Sequence, residues 1–303
     1  MADGRFAPSP TGELHLGNLR TALVAWLFAR SQRSRFLVRI EDLDDRVANR
    51  RYEEGQLADL AATGLTWDPP VVRQSERFDL YHDAIATLAA AGLTYECTCT
   101  RREIREAASA SHGDAPEGAY PGTCLRLTAK ERAERSASGR PAALRLRAQV
   151  ESEVFVDRIH GPYDGLVDDV VLRRNDGVPA YNLAVVVDDA AQRIEEVVRG
   201  DDLLSSTPRQ LHLADLLGLA RPAHAHVPLV LGPDGERMAK RHGAVTLSDR
   251  RAAGDTPAQV LSALAASLGL VEPGELRTAA ELVSRFDPTT LPTDPWLVDP
   301  GQL

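Results

Sequence analysis

Residues 5–18 read Arg5-Phe-Ala-Pro-Ser-Pro-Thr-Gly-Glu-Leu-His-Leu-Gly-Asn18, and a mostly apolar run follows them. The pattern predicts a strand that leaves a core, then a rigid turn, and then a long helix that begins near His15. The two prolines fix φ and exclude helix from the turn, while the glycines allow the backbone to approach a bulky group. Unpaired N–H groups and the helix dipole converge at such a junction, so the stretch predicts a binding site for an anion.

The composition is that of an ordinary globular protein of 303 residues, with 43% hydrophobic and 26% charged residues. This length allows a substantial core in two or three lobes. The net charge of −9 excludes a surface coated in basic residues but leaves local arginine clusters free to contact RNA. The apolar runs are too short to span a bilayer, and the N-terminus has no signal sequence core. We therefore expect a cytoplasmic protein without a membrane partner; we also expect a monomer.

Strands and helices alternate after the first helix. Residues 35–40 predict a second core strand that ends at Glu41, and ligands bind at such carboxyl ends in open parallel sheets. Helical spacing over 47–63 and 78–91 is followed by a glycine in each case, and a third core strand is expected at 94–97. This order predicts a doubly wound, largely parallel α/β sheet with right-handed crossovers.

The pattern changes after residue 97, where a β-rich insertion is predicted. Its expected elements are a polar helix at 101–110, a loop at 111–123 and short strands at 142–147, 154–159 and 169–173. The elements expected after it are strands at 180–187, 195–199 and 226–231, a helix at 205–217 with Thr207 as N-cap, and a helix at 256–268. The predicted division is a split α/β domain over 1–96 and 180–245, an inserted subdomain over 97–179, and a short helical C-terminal region over 246–303.

A basic stretch, Arg237-Met-Ala-Lys-Arg241, follows a predicted strand and a Gly/Pro-containing turn. Alone, it is typical of a solvated basic loop. Paired with the first turn, it predicts a mobile cation that reaches the same bound phosphates from the other side. Lys240 is the residue expected to do so, because an ammonium group on a flexible stem suits a migrating negative charge on pyrophosphate.

The two stretches resemble the two ATP-binding motifs of the class I aminoacyl-tRNA synthetases, most closely those of the glutamyl branch. Asn18 stands where the first motif ends in His. Three positions differ from the Lys, Ser and Ser of the best-known second motif: Arg237, Ala239 and Arg241. The resemblance implies a Rossmann-like nucleotide-binding sheet that takes ATP with Mg²⁺, with His15 and Lys240 as catalytic residues. The ATP-binding residues that it implies are Pro8, His15, Gly17, Asn18, Met238 and Lys240.

The resemblance also implies a pocket for L-glutamate, formed by Arg5, Phe6, Ala7, Pro8, Ser9, Glu41, Tyr181 and Arg199. Glutamate brings two carboxylates and an ammonium group, so its pocket needs both cations and an anion. The guanidinium forks of Arg5 and Arg199 suit carboxylates, and Glu41 can hold the ammonium group. The alternatives are that Glu41 is a rim charge and that Arg199 pairs with Asp201. A glutamine pocket is not expected to contain this much fixed positive charge.

The three cysteines of the chain are Cys97, Cys99 and Cys124. An odd number without a signal sequence disfavours disulfides, and spacing alone leaves both metal-free burial and a tetrahedral Zn²⁺ site open. The fourth ligand of such a site would be Tyr120, which is unusual, or His112, which is conventional. The short glutamyl-queuosine tRNA(Asp) synthetases resemble this chain in the Cys-x-Cys and Tyr-x-x-x-Cys arrangement. This resemblance implies one structural Zn²⁺ on Cys97, Cys99, Tyr120 and Cys124 that stabilises the insertion.

Residues 241–303 are too few for the anticodon-binding region of a full glutamyl-tRNA synthetase, so no such region is expected. The resemblance to the short enzymes extends over nearly the whole chain. It implies that glutamate is activated with ATP and transferred to the queuosine base at the wobble position of tRNA(Asp), which the anticodon loop presents to the active site.

Three alternative functions remain open. The first is a truncated glutamyl-tRNA synthetase that charges the 3′ end of tRNA(Glu), against which the short C-terminal region argues. The second is a non-catalytic RNA-binding relic of a synthetase, which the altered second motif permits. The third is another nucleotidyl transferase with a similar His15 motif. The predicted glutamate pocket argues against the second and third alternatives.

Overall fold

A computed structural model describes residues 2–110, 119–238 and 245–299 of the chain. The strands in these ranges are β1 (Gly4–Phe6), β2 (Phe36–Ile40), β3 (Val72–Arg73), β4 (Thr94–Cys97), β5 (Ala143–Leu146), β6 (Ser152–Asp157), β7 (Gly161–Leu166), β8 (Val171–Arg173), β9 (Glu196–Gly200), β10 (Ala223–Val227), β11 (Val230–Leu231) and β12 (Trp296–Leu297). The helices are α1 (Leu16–Ser31), α2 (Arg50–Ala62), α3 (Phe78–Ala90), α4 (Arg101–Ala110), α5 (Ala129–Ala137), α6 (Tyr181–Ala191), α7 (Thr207–Leu216), α8 (Leu247–Ala252), α9 (Pro257–Ala266) and α10 (Ala279–Leu282). None of the helices in the described ranges is long and apolar enough to cross a bilayer.

A seven-stranded sheet in the order β3-β2-β1-β9-β10-β6-β7 forms the centre of the fold. Every neighbouring pair in it is parallel except β6 and β7, which form an antiparallel hairpin at one edge. This arrangement confirms the predicted α/β class with a largely parallel, Rossmann-like sheet. The carboxyl ends of β1, β2 and β9 lie side by side, so the residues that follow these strands are brought together.

The two faces of the sheet carry different chemistry because alternate residues of each strand point to opposite sides. Phe6 and Val38 belong to an apolar cluster that includes most of α1. Arg5 and Arg39 are equally buried, but on the other face they donate hydrogen bonds to Asp189 of α6. One face of the sheet is therefore apolar, and the other combines buried ion pairs with a small apolar cluster of Leu37, Ile194 and Val197.

Two of the expected core strands are not in the large sheet: one is a helix, and the other is a strand of a different sheet. Residues 180–187 begin helix α6: Leu183, Ala184 and Val187 lie at helical spacings and join one buried cluster, so packing overrides the strand preference of three consecutive valines. Residues 94–97 do form a strand, but β4 pairs with β5 in a separate antiparallel sheet, β4-β5-β8. The neighbour of β2 on that side is the short β3.

The helices follow the sequence predictions more closely than the strands do. Helices α1, α2 and α3 are confirmed, and α2 and α3 end just before Gly64 and Gly92, whose φ angles are +78° and +71°. The N-cap of α7 is Ser206 rather than Thr207, whose hydroxyl accepts a hydrogen bond from Arg199 instead.

The region predicted as an insertion is shared between the two sheets. Strands β5 and β8 lie in the small sheet, whereas β6 joins β10 in the large one. Part of the loop predicted at 111–123 lies outside the described residues. The three-part division of the chain stays a prediction.

Candidate active site

The turn between β1 and α1 is held by contacts from distant parts of the chain. The N–H of Glu41, at the end of β2, donates to the carbonyl oxygen of Pro8 at 2.9 Å. The buried side-chain amide of Gln56, from α2, donates to the carbonyl oxygens of Ser9 and Gly12 at 3.0 and 2.7 Å. The turn is thus fixed from both sides before any ligand binds.

His15 is the N-cap of α1, and its ring orientation is set by a capping box. Its Nδ1 accepts a hydrogen bond from the N–H of Asn18, whose side-chain oxygen accepts from the N–H of His15. Because Nδ1 is an acceptor, the proton of the neutral ring lies on Nε2, which is left as a donor for a ligand. Burial lowers the pKa of His15, with the charge of Asp202 opposing the shift.

Gly17 leaves room for this arrangement, because a Cβ atom there would lie 3.1 Å from two atoms of the His15 ring and would push the ring by a few tenths of an ångström. Gly12 differs, since a Cβ at that position would meet no atom within 4 Å. Of the two glycines in the motif, Gly17 is therefore the one that provides space for the histidine.

The second basic stretch approaches the same site. Leu231 and Arg237 pair across the turn that precedes it, and Arg237 forms an ion pair of 3.2 Å with Asp202, just after β9. Met238 is buried. Lys240 lies outside the described residues, so its predicted contact with the phosphates stays a prediction.

A cavity of about 670 Å³ opens at the carboxyl ends of β1, β2 and β9. It brings together all of the predicted ATP-binding and glutamate-binding residues that the structure describes. These are Arg5, Phe6, Ala7, Pro8, Ser9, His15, Gly17, Asn18, Glu41, Tyr181, Arg199 and Met238. Arg5 and Arg199, which are 194 positions apart in the sequence, thus line the same cavity.

Ionic contacts neutralise Arg5 within the fold. Its Nε and Nη2 donate to the two carboxylate oxygens of Asp189 at 3.3 and 3.5 Å, and its Nη1 donates to the carbonyl oxygen of Val198 at 3.1 Å. Arg39 approaches the same carboxylate at 2.7 Å. Burial opposes ionisation of Asp189, but the two guanidinium groups hold the pKa of its carboxyl below the usual range.

Glu41 and Tyr181 form the part of the cavity wall that is suited to a cation. The carboxylate of Glu41 accepts a 3.5 Å hydrogen bond from Arg39, and burial nevertheless raises its pKa. Burial also raises the pKa of Tyr181, and the negative charge of Glu41 adds to that shift. A bound ammonium group would favour the ionised form of Glu41.

Arg199 differs from Arg5 because its charge has no acidic partner by hydrogen bond in the described part of the chain. Its side chain is buried and donates to neutral acceptors. These are His226 Nε2 at 3.1 Å, Gln210 Oε1 at 2.7 Å, Thr207 Oγ1 at 2.8 Å and the carbonyl oxygen of Leu203 at 3.4 Å. The alternative pairing of Arg199 with Asp201 is not observed among these bonds. Arg199 therefore presents an uncompensated cation to the cavity.

Several supporting residues were missed by the sequence analysis. Asp189 was missed because the residues just before it, 180–187, were predicted as a strand rather than as part of the helix that contains Asp189. Gln56 and Gln210 lie on helices far from the motifs, and no pattern in the sequence marks them as partners of the site.

A second cluster joins the three cysteines. The Sγ atoms of Cys97, Cys99 and Cys124 all lie within 4.8 Å of one another, and those of Cys99 and Cys124 are 3.4 Å apart. In a tetrahedral site with Zn–S bonds of ~2.3 Å the sulfurs lie roughly 3.8 Å apart, so this donor set fits a metal ion.

Tyr120 borders the cysteine cluster, and its role as a fourth ligand stays a prediction. Its hydroxyl oxygen is 3.4 Å from Cys97 Sγ and 3.9 Å from Cys99 Sγ. The guanidinium of Arg145 stacks on its ring at 3.6 Å, and Arg135 Nη1 is 3.5 Å from Cys99 Sγ. These cations suit a cluster that becomes anionic when its ligands lose their protons. The alternative ligand, His112, lies outside the described residues.

Comparison with known proteins gives consistent matches. Residues 2–303 match the model of the family described as tRNA synthetases class I (E and Q), catalytic domain. The chain is 63% identical over 301 residues to the Glutamyl-Q tRNA(Asp) synthetase of Nocardia farcinica, covering 99% of this chain and 94% of that protein. It is 50% identical over 307 residues to the protein of the same name from Symbiobacterium thermophilum, covering 97% and 95%.

A solved structure is also similar over almost all of this chain. It is a glutamate tRNA ligase from Elizabethkingia meningosepticum in complex with its amino acid, with a TM-score of 0.81 and 27% sequence identity. The match covers 98% of this chain and 66% of that one.

Proposed function

Because this chain belongs to the class I tRNA synthetases for glutamate and glutamine, we propose that it activates L-glutamate with ATP and transfers the glutamate to the queuosine base of tRNA(Asp). Relatives that are 63% and 50% identical over nearly their full length bear the name Glutamyl-Q tRNA(Asp) synthetase. Their name supports this acceptor over the 3′ end of tRNA(Glu). The similar ligase solved with its amino acid supports glutamate as the amino acid.

The observation that carries the proposal is the charge pattern of the cavity. Arg199 offers a guanidinium with no hydrogen-bonded acid among the described residues, and Glu41 offers a carboxylate at the end of β2 in the same cavity. A glutamate side chain can neutralise the first group while its ammonium is held by the second. The side-chain amide of glutamine brings no charge for Arg199, so a buried cation would stay unpaired in its complex.

The first reaction step joins glutamate to ATP. An oxygen of the α-carboxylate attacks the α-phosphorus in line, a new P–O bond forms, and the P–O bond to pyrophosphate breaks. Mg²⁺ bound with ATP would offset the negative charge of the phosphates. The Nε2–H of His15 donates to the phosphate as charge develops on it, and Lys240 follows the charge onto the pyrophosphate. No side-chain nucleophile is needed, so positioning and electrostatics lower the barrier.

The second step releases AMP. A hydroxyl oxygen of the cyclopentenediol ring of queuosine attacks the carbonyl carbon of the glutamyl-adenylate, the C–O bond to the phosphate breaks, and the hydroxyl proton is lost. The product is an ester between glutamate and the modified base. The glutamate pocket remains occupied throughout, so the same contacts position both steps.

A structural Zn²⁺ completes the proposal. Cys97, Cys99, Cys124 and Tyr120 would hold it, since their donor atoms already lie at distances that suit one metal ion. The ion would cross-link the loop after β4 to the segment before α5 and supply folding energy, as structural zinc does.

A labelling experiment tests the proposal directly. The protein is incubated with ATP and labelled glutamate together with tRNA(Asp) that contains queuosine, tRNA(Asp) that lacks it, or tRNA(Glu). We expect label only in the first RNA, with the ester cleaved by mild alkali. Equal labelling of the queuosine-free RNA, or preference for tRNA(Glu), would refute the proposed acceptor and favour the truncated synthetase. Absence of labelling and of glutamate-dependent ATP–pyrophosphate exchange would favour a non-catalytic relic.

A further inference from the structure

A chain of three buried residues runs from the end of β6 to the cavity. One carboxylate oxygen of Asp157 accepts the N–H groups of Ile159 and His160 at 2.9 and 3.0 Å. Its other oxygen lies 2.6 Å from His226 Nδ1, and His226 Nε2 is in turn 3.1 Å from Arg199 Nε. The His226 side chain is 0% exposed and that of Asp157 is also 0% exposed, so water does not compete for these bonds.

The order of these bonds determines the tautomer of the histidine. A carboxylate can only accept, so Nδ1 of His226 carries the proton, and its Nε2 presents a lone pair to Arg199. The hydroxyl of Thr207 lies 3.1 Å from the same Nε2 and accepts from Arg199 Nη2 at 2.8 Å. Two edges of the guanidinium are therefore held by groups that carry no charge.

The imidazole separates the carboxylate from the guanidinium. An acid placed directly against Arg199 would bind it more strongly than a neutral histidine does, because both partners of the hydrogen bond would then be ionised and of opposite charge. It would also cancel the positive charge that the substrate needs. A neutral ring that is itself oriented by a carboxylate fixes the geometry of Arg199 and leaves that charge available.

We propose that Asp157 and His226 are positioning residues that hold Arg199 in place as an unneutralised cation and thereby determine the preference for glutamate over glutamine. The inference rests on the proposed glutamate specificity and assigns part of that specificity to Asp157 and His226. Neither residue lines the cavity, so their effect on the amino acid is transmitted through Arg199.

The decisive variant moves the negative charge one residue closer to Arg199 without changing the number of acids. In the double variant Asp157→Asn/His226→Glu, the asparagine amide donates to the new carboxylate, which lies against the guanidinium. We expect the affinity for glutamate, measured by calorimetry, to fall roughly 100-fold or more. The KM for ATP is expected to stay within threefold, and the preference for glutamate over glutamine to be largely lost.

Three further variants separate positioning from folding. His226→Gln keeps a neutral acceptor near the place of Nε2 and should retain most of the glutamate affinity. His226→Met removes that acceptor and should weaken glutamate binding about 10- to 100-fold. The matched control is His224→Gln, which changes a buried histidine on the same face of β10 that makes no hydrogen bond to Arg199 among the described contacts. Its glutamate affinity should change by less than threefold.

The outcomes distinguish this inference from the proposed function. Unchanged glutamate affinity in both the double variant and His226→Met would overturn the positioning role. An equal loss in His226→Gln and His224→Gln, together with lowered melting temperatures, would also overturn it by showing a merely structural effect. A wild-type protein that binds glutamate but gives no ATP–pyrophosphate exchange would overturn the proposed reaction alone, and one that does not bind glutamate would overturn both.

Discussion

Replacing Arg199 by methionine is expected to remove most glutamate activation and to leave the fold intact. Its described hydrogen bonds go to neutral groups, so the substrate carboxylate would be its charge partner. Removing one member of a desolvated, hydrogen-bonded charge pair costs about 2–5 kcal/mol, and about 1.4 kcal/mol corresponds to a factor of ten. We therefore expect kcat/KM for glutamate to fall about 30- to 4,000-fold.

The effect of Arg199→Met on stability is expected to be small. The variant leaves neutral acceptors without their donor, but it also relieves the cost of burying a guanidinium that no acid hydrogen-bonds within the described ranges. These terms oppose each other, and a change in unfolding free energy within about 1 kcal/mol is expected.

Arg5→Met, unlike Arg199→Met, is expected to lower the free energy of unfolding. It removes one of the two guanidinium groups on Asp189, while Arg39 keeps its 2.7 Å contact with that carboxylate. The remaining acid is then only partly compensated in a buried layer, so we expect a loss of about 1–3 kcal/mol in unfolding free energy.

Two assays applied to both variants measure this contrast. Glutamate-dependent ATP–pyrophosphate exchange gives kcat/KM, and urea denaturation gives the free energy of unfolding. The matched control is Arg50→Met, an arginine whose side chain is 79% exposed; it should behave as wild type in both assays. The reasoning is refuted if Arg199→Met keeps kcat/KM within threefold, or if Arg5→Met is as stable as wild type.

Four further predictions concern Gly17, Lys240, Tyr120 and His226. Gly17→Ala should slow exchange roughly 10-fold or more, because its Cβ would displace the His15 ring; an unchanged rate would contradict this. Lys240→Ala should lose orders of magnitude in exchange while still binding glutamate, and near-normal exchange would exclude the role given to Lys240. Tyr120→Phe should lower the zinc content of the purified protein as measured by elemental analysis, whereas equal zinc would remove Tyr120 as a ligand. As pH falls from 6.5 towards 4, the free energy of unfolding should fall, because burial lowers the pKa of His226 to about 4 while the unfolded chain takes up that proton near 6.5. The urea midpoint of His226→Gln should depend less on pH over this range than that of the wild type. Equal pH dependence of the variant and the wild type would show that His226 is not the group that titrates.

Local patterns were sufficient to predict the elements around the first turn. The mostly apolar run after Asn18 contains no glycine or proline before Ser31, and the polar pair His15 and Asn18 caps the start of the helix. Gly64 and Gly92 have the positive φ angles that end a helix. These features involve neighbouring residues only, so the sequence contains all of the information that they need.

Helix α6 shows why the rest could not be predicted. Its three consecutive valines favour a strand locally, and what makes it a helix is the need to place Asp188 and Asp189 against arginines of two different strands. Asp188 also accepts a hydrogen bond from Tyr81 of α3 at 2.8 Å. Partners more than 100 residues away decide the conformation, and periodicity in one segment does not identify them.

In the candidate site, too, the residue types could be predicted from the sequence, whereas their hydrogen-bond partners could not. Arg5, Arg199 and Glu41 could be assigned to a pocket by type, but the sequence gives no reason to treat the two arginines differently. The difference comes from Asp189, which is shared by Arg5 and Arg39 and is absent from the hydrogen bonds of Arg199.

The buried ion pairs therefore leave the excess positive charge of the pocket on one residue, Arg199, rather than spread over all of its arginines. Arg5, Arg39, Asp189 and Glu41 are linked by hydrogen bonds in which two guanidinium groups meet two carboxylates. This network is balanced, so the excess cation of the group is Arg199, on the neighbouring strand β9. A ligand with one net negative charge restores neutrality, and it does so best when its anionic end reaches Arg199 and its cationic end reaches Glu41. Free glutamate has that charge and that polarity, which is the physical basis for expecting the pocket to reject glutamine even though the two side chains have nearly the same shape.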